Sequence, residues 1–166
     1  MTRTDNPSAP DERSTLLSML TYARETAIFK VEGLSEEGAH AAPIPTSPLT
    51  TPATLLNHLR WVEYDWLHRD VLGEEIGAPW TEEDPDGEMT EALTMTVDEV
   101  IAAYKAQIID SDAIIATLDL DQLTARPLSD FHPNVRWVLL HLVEETARHN
   151  GHLDLLRELA DGSVGD

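Results

Sequence analysis

Residues 138–159 read VLLHLVEETARHNGHLDLLREL, and this stretch decides both the fold class and the candidate site. Its leucines and valines recur at helical spacing, which predicts one long amphipathic helix. Glu145 and His149 lie within about 20° of the centre of the apolar stripe, and His152 lies about 40° from it. A carboxylate and an imidazole one turn apart on a buried face are costly without a partner. A metal ion is the obvious partner.

The length and charge of the chain limit the classes of protein to consider. The 166 residues suit one domain, residues 1–166, with a substantial core, and we expect residues 1–10 to be a flexible polar lead. The formal net charge of −20 repels phosphate backbones and anionic lipid headgroups. We therefore expect a small-molecule substrate, and neither nucleic acid nor a membrane as partner.

The absence of cysteine removes several further classes. With no cysteines, the chain has no disulfide framework, no thiolate metal site and no cysteine nucleophile. The first residues are polar and lack the apolar core of a signal peptide, and no apolar run approaches membrane-spanning length. These features predict a cytoplasmic protein.

Three further amphipathic helices precede the final one. Thr51-Pro52 supplies a hydroxyl cap and a first-turn proline, and Thr96 with Glu99 forms a capping box. Strand-like alternation is absent, so the pattern predicts an all-α four-helix bundle. Two proline- or acid-rich connectors of about twenty residues each argue that at least one crosses the end of the bundle. The three helices are predicted over residues 11–34, 51–72 and 96–118, with connectors at 33–52 and 73–95.

The final helix offers two metal ligands, and the second helix offers a third. Glu145 and His149 are separated by four residues, so both side chains project to one point. His58 is the only histidine on the apolar flank of the second helix. Two imidazoles and one carboxylate suit zinc, and also nickel, iron(II) or manganese. Three protein ligands leave a position open for water or substrate, as catalytic sites require.

A structural alternative stays open for these residues. Glu145 and His149 could form a buried ion pair that is capped by Arg148 or by a tyrosine hydroxyl. His152 could be a fourth ligand, a partner that orients a ligand, or a general base. Arg148 could orient an anionic substrate, although an ion pair with Glu144 or Glu145 explains it equally simply.

Several aromatic and acidic residues near these positions have simpler interpretations. The tryptophans at helical spacing, Trp61, Trp66 and Trp137, are expected in the core. Asp65 lies two turns after His58 and is expected to be solvated. Trp80, in the acidic connector, is expected to fold back over another part of the chain, because an exposed indole is unfavourable.

Two segments resemble a known family. NHLRWVEYDWL at residues 57–67 and RWVLLHLVEETARHNGHLDLLRELADG at residues 136–162 resemble the DinB-like superfamily, and most closely its actinobacterial "mini-circle protein"-type branch. The resemblance implies an up-down-down-up four-helix bundle with long crossing loops. It also implies frequent homodimers and a divalent metal held by three residues of the second and fourth helices.

The resemblance also suggests which residues hold the metal and what reaction follows. Glu145 stands where many members have a histidine, as in the mycothiol-dependent maleylpyruvate isomerase type. The carried-over ligands are His58, Glu145 and His149. Related members are similar to S-transferases that use mycothiol or bacillithiol. The resemblance thus implies a metal-dependent, low-molecular-weight-thiol S-transferase or isomerase, with His152 or a metal-bound water as proton carrier and Arg148 as a substrate-binding residue. A metal hydrolase, a non-catalytic metal- or ligand-binding bundle and a purely structural bundle remain alternatives.

Overall fold

The computed structural model describes residues 11–165, so the predicted flexible lead at residues 1–10 lies outside the described residues. Six α-helices and one π-helical segment make up this part of the chain, which contains no β-strand. The all-α prediction is therefore confirmed. The α-helices are α1 (Glu12–Val31), α2 (Glu36–Ala39), α3 (Pro52–Tyr64), α4 (Gly87–Ala92), α5 (Val97–Ile115) and α6 (Val135–Asp161).

Side-chain caps fix where the long helices begin. The Thr51 hydroxyl accepts from the backbone N–H of Thr54, whose own hydroxyl accepts in return, at the start of α3. Thr96 and Glu99 form the same reciprocal box at α5. Each cap satisfies N–H groups that have no partner inside the helix, which is why the sequence signals located these starts correctly.

Both predicted connectors contain a short helix that the sequence pattern did not reveal. Within the second connector, α4 docks on α3 because the Asn57 amide donates to the carbonyl of Glu88 and to the Glu91 carboxylate. A side chain at Gly87 would collide with the carbonyl of Pro79. The reading of residues 73–95 as a plain connector was therefore wrong. Tertiary contacts create α4, and they leave no periodic signal in so short a segment.

The second predicted helix changes its winding partway along. After Tyr64 the chain continues as a π-helix, Asp65–Val71, in which the N–H of Leu72 donates to the carbonyl of Leu67. This segment ends before Gly73, which has a φ of 76°, a backbone conformation that glycine adopts without strain. The extra residue per turn rotates the side chains that follow Tyr64 relative to a regular α-helix.

The buried hydrophobic side chains form two clusters, at different levels along the four long helices. One joins the C-terminal half of α1 and the end of α6 to the beginnings of α3 and α5. The other joins the beginnings of α1 and α6 to the π-helical segment and the end of α5. The C-terminal parts of α1 and α6 thus pack against the N-terminal parts of α3 and α5, as they would if α1 and α6 ran in the opposite direction to α3 and α5. This arrangement favours the up-down-down-up order, which stays a prediction.

A buried ion pair crosses the interior beside these clusters. The Arg24 guanidinium donates to both oxygens of Glu63, at 2.8 and 2.5 Å, and the two side chains are 2% and 1% exposed. The Tyr104 hydroxyl donates to Glu63 at 3.2 Å, and Arg24 also reaches Asp112. Burial, together with the Glu63 charge, raises the pKa of Tyr104 well above its ordinary value, so the phenol stays protonated and can donate.

No helix of residues 11–165 combines the length and the apolar character that crossing a bilayer requires.

Candidate metal centre

Three side chains from two helices converge between α3 and α6. His58 projects from α3, and Glu145 and His149 project from adjacent turns of α6. The Nε2 atoms of His149 and His58 lie 2.9 Å and 3.4 Å from the same atom, Oε1 of Glu145. One ligand atom from each of the three residues lies within 4.8 Å of the others. The structure therefore brings together the three residues predicted from the sequence.

The apolar stripe of α6 explains why these polar groups face inward. Leu142 and Leu153 are fully buried on the same face, and His149 is 7% exposed. Because this stripe must pack against the rest of the bundle, Glu145 and His149 are carried into the helix interface with it.

The electrostatics favour the protonation states that bind a metal. Burial lowers the pKa of His149, and the adjacent His58 lowers it further, against the opposing effect of Glu145. Burial alone would raise the pKa of Glu145, but His149, His58 and Arg148 outweigh it, so the net pKa is lowered. Neutral imidazole and ionised carboxylate are the forms in which these groups ligate metals.

The second nitrogen of each imidazole also has a polar neighbour. Nδ1 of His58 lies 3.3 Å from Oε1 of Glu88, and Nδ1 of His149 lies 3.3 Å from Nδ1 of His152. Metal-binding histidines are commonly oriented by such partners on the far side of the ring. Glu88 is not recognisable from the sequence as a neighbour of His58, because only the docking of α4 brings the two residues together.

His152 and Arg148 lie beside the three-residue cluster, and each contacts one of its members. His152 is exposed, and its Nδ1 contacts Nδ1 of His149, the ring nitrogen that does not face Glu145. Arg148 is 59% exposed and donates to Oε2 of Glu145 at 3.2 Å. This ion pair is one of the two interpretations drawn from the sequence. The roles of both residues toward a substrate stay predictions.

Two expectations about neighbouring residues were wrong. Asp65 is not simply solvated, because it is half-buried and pairs with Arg69 at 2.7 Å. Trp61 is not a core residue, because its half-buried indole donates to Glu91 at 2.7 Å and faces a cavity. The expectation for Trp80 is confirmed, since its ring packs edge-to-face on Trp61 with centroids 5.8 Å apart.

The donor set fits a divalent ion. Each short approach between imidazole nitrogen and carboxylate oxygen needs a proton or a cation between the two atoms, since both carry lone pairs. The lowered pKa of His149 favours its neutral imidazole, which is the form that ligates a metal. Two nitrogens and one oxygen suit zinc, nickel, iron(II) or manganese, and leave coordination positions free for substrate.

The described residues thus form an all-α bundle that carries a cluster of two histidines and one carboxylate between α3 and α6. The family model described as mycothiol S-transferase matches residues 15–162. The chain belongs to this family, and the predicted resemblance to the DinB-like superfamily is thereby confirmed. Comparison with curated proteins yields no match.

Proposed function

We propose that the chain is a divalent-metal-dependent S-transferase that joins a low-molecular-weight thiol, mycothiol or a close relative, to a small electrophile. The observation that carries the proposal is the convergence of His58, Glu145 and His149 within 4.8 Å, in a chain of the mycothiol S-transferase family. Zinc is the ion that we propose first. A cytoplasmic location and a homodimer complete the proposal.

The proposed ligands and the residues beside them have different chemical roles. When bound, the ion supplies positive charge that lowers the pKa of a thiol beside it. Glu88 holds the His58 ring through Nδ1, which keeps its Nε2 directed toward Glu145. His152, exposed beside His149, is the proposed acceptor of the thiol proton.

For a chlorinated electrophile, the bonds that form and break in the proposed reaction are as follows. The thiol sulfur forms a bond to carbon, the carbon–chlorine bond breaks, and chloride leaves with the bonding electrons. The thiol proton passes to His152. No oxidant or reductant is needed.

Thiol conjugation tests this proposal. Metal-loaded protein is assayed with mycothiol and monochlorobimane, and in parallel with a panel of esters and amides. We expect conjugation without hydrolysis, and a decrease in kcat of about 10²-fold in His152→Gln with metal content unchanged. His141→Gln, on the same helix but outside the cluster, is the matched control. Hydrolysis of the panel without conjugation would indicate a metal hydrolase instead, and metal binding with neither activity would indicate a non-catalytic binding protein.

A further inference from the structure

A cavity of about 380 Å³ is lined by the C-terminal half of α6 and by the connector that joins α2 to α3. Its volume lies in the range of small-molecule sites, whose walls are mostly apolar with a few polar groups. The walls have this character, because four of the seven lining residues carry aliphatic side chains: Ile44, Leu155, Leu156 and Leu159.

Three of these aliphatic side chains are exposed. Ile44 is 41% exposed, Leu155 64% and Leu159 67%, whereas Leu156 is buried in the core. Single exposed apolar residues are ordinary on a protein surface, but several around one concavity indicate an interaction site. The cavity therefore offers an apolar ligand both a buried floor and exposed walls.

Hydrogen bonds hold the connector wall in place. The N–H of Ser47 donates to the carbonyl of Ile44 at 2.9 Å, and the N–H of Thr50 donates to the carbonyl of Ser47 at 3.0 Å. At the start of α3, the Thr54 hydroxyl donates to the carbonyl of Leu49. These bonds link both lining residues of the connector, Ile44 and Thr50, to the cap of α3, so the wall is part of the fold.

His152 joins this cavity to the candidate metal centre. It is one of the lining residues, and its Nδ1 lies 3.3 Å from Nδ1 of His149. The two rings meet edge-to-face with centroids 5.3 Å apart. The apolar walls thus begin one imidazole away from a proposed ligand, which suits the non-reacting body of a molecule that reacts at the centre.

The charges around the cavity oppose an anionic occupant. Glu158 lines the cavity, and no lysine or arginine is among the lining residues. The net charge of −20 adds a general repulsion of anions. A second copy of the chain would bring the same glutamate and the same net charge to this surface. These charges favour a small uncharged ligand over both.

We propose that this cavity binds the apolar body of the electrophile, an uncharged molecule with an alkyl or aryl substituent. The assignment of the ligand to the electrophile rests on the proposed function, whereas the binding of an apolar molecule in the cavity does not. Ile44, Leu155 and Leu159 then determine specificity, because they contact the part of the electrophile that does not react.

Methyl NMR tests the binding without thiol or metal. Protein with ¹³C-labelled isoleucine δ1 methyls is titrated with the unreactive amides N-hexylacetamide, N-methylacetamide and 6-acetamidohexanoate. We expect N-hexylacetamide to shift the Ile44 signal saturably, and to leave Ile109, in a separate cavity between α1 and α5, unshifted. N-methylacetamide should bind at least ~10-fold more weakly, because it lacks most of the apolar surface. The anionic 6-acetamidohexanoate should bind at least ~5-fold more weakly.

Two matched variants connect the binding to the cavity wall. Leu155→Ser is expected to weaken the binding of N-hexylacetamide ~5-fold or more. Ile109→Ser makes the same kind of change at a comparably exposed position of α5, and is expected to bind as the wild type does. Light scattering is expected to give both variants the mass of the wild type.

A kinetic comparison connects the cavity to the reaction. Metal-loaded protein with mycothiol is supplied with N-hexyl-2-chloroacetamide or N-methyl-2-chloroacetamide, which lose chloride from the same carbon as the thiol sulfur bonds to it. We expect kcat/KM to be at least ~10-fold higher for the hexyl compound, and Leu155→Ser to reduce this preference. Ile109→Ser should retain it.

The inference is overturned if N-hexylacetamide does not shift Ile44, if it shifts Ile109 equally, or if 6-acetamidohexanoate binds as tightly. It is also overturned if Leu155→Ser binds like the wild type, or if this variant converts a dimer into monomers, which would assign Leu155 to a contact between two copies. A shift of Ile44 without conjugation of either chloroacetamide would refute the proposed function alone. Conjugation without a hexyl preference and without the shift would refute this inference alone.

Discussion

At the scale of single residues, the orientation of His58 depends on a carboxylate that lies 30 positions away in the chain. Glu88 contacts Nδ1 of His58 at 3.3 Å, and Nε2 of the same ring faces Glu145. A carboxylate that accepts from the outer nitrogen fixes the tautomer and raises the basicity of the inner one. The proposed metal ligand is thus held by a residue that need not touch the metal.

This contact leads to a prediction for Glu88→Gln. Replacing the carboxylate by an amide weakens the hold on the His58 ring, so metal affinity should fall about 10-fold or more. Competition with a chromogenic chelator measures the dissociation constant. Glu82→Gln, on the same connector but exposed, is the control. Equal metal affinity in Glu88→Gln and the wild type would show that Glu88 does not support the centre.

At the scale of helices, the Arg24–Glu63 pair joins α1 to α3 in the interior, and Tyr104 adds α5. Both charged side chains are almost fully buried, so each needs the opposite charge of the other to offset the loss of its hydration. Removing one partner leaves the other charge buried without compensation, whereas removing both does not.

We therefore predict that Glu63→Ala lowers the free energy of unfolding by about 3–5 kcal/mol. The double variant Arg24→Met, Glu63→Leu should lose much less, because neither charge of the pair is left buried without its partner. Urea denaturation monitored by circular dichroism measures both. If Glu63→Ala cost no more than Glu82→Ala, at an exposed position, the buried pair would not have the role assigned to it.

His68 connects the π-helical segment to two other elements. Its Nδ1 lies 2.6 Å from Glu74 in the connector, and its Nε2 lies 2.7 Å from Asp110 on α5. Burial alone would lower the pKa of His68, but the hydrogen bonds and charges of Glu74 and Asp110 outweigh it, so the pKa is raised. The folded state therefore binds the proton more tightly than the unfolded state does.

The sign of this shift predicts how stability changes with pH. The contribution of His68 should be fully present below its unfolded-state pKa of about 6.5 and should disappear as the pH rises through the raised folded-state pKa. The difference in unfolding free energy between wild type and His68→Gln, about 1 kcal/mol at low pH, should shrink accordingly. His132→Gln, whose ring contacts the carbonyl of Thr124, is the control. A difference that grows with pH would contradict the assignment.

At the scale of the whole molecule, helical periodicity predicted those features of the fold and of the site that depend only on local sequence. The four long helices, the caps at Thr51 and Thr96, and the inward face of Glu145 and His149 all follow from spacing along one segment. His58 could be paired with them because it is the one histidine on the apolar flank of its helix.

Contacts between distant segments were not predictable in this way. The docking of α4 brings Glu88 to His58, and Arg24 meets Glu63 across 39 positions of the chain. Neither pair has a sequence signature, because no fixed spacing relates residues on different elements. The π-helical segment was also missed, since its residues continue the pattern of α3.

The central claim is that His58, Glu145 and His149 together hold one metal ion. Elemental analysis of untagged protein tests it most directly, with the wild type beside His58→Ala and Glu145→Ala and with His141→Ala as a control on the same helix. We predict a stoichiometric divalent metal in the wild type and in His141→Ala, and its loss from the two ligand variants. Metal that persists in both ligand variants, or a wild type that contains none, would contradict the account.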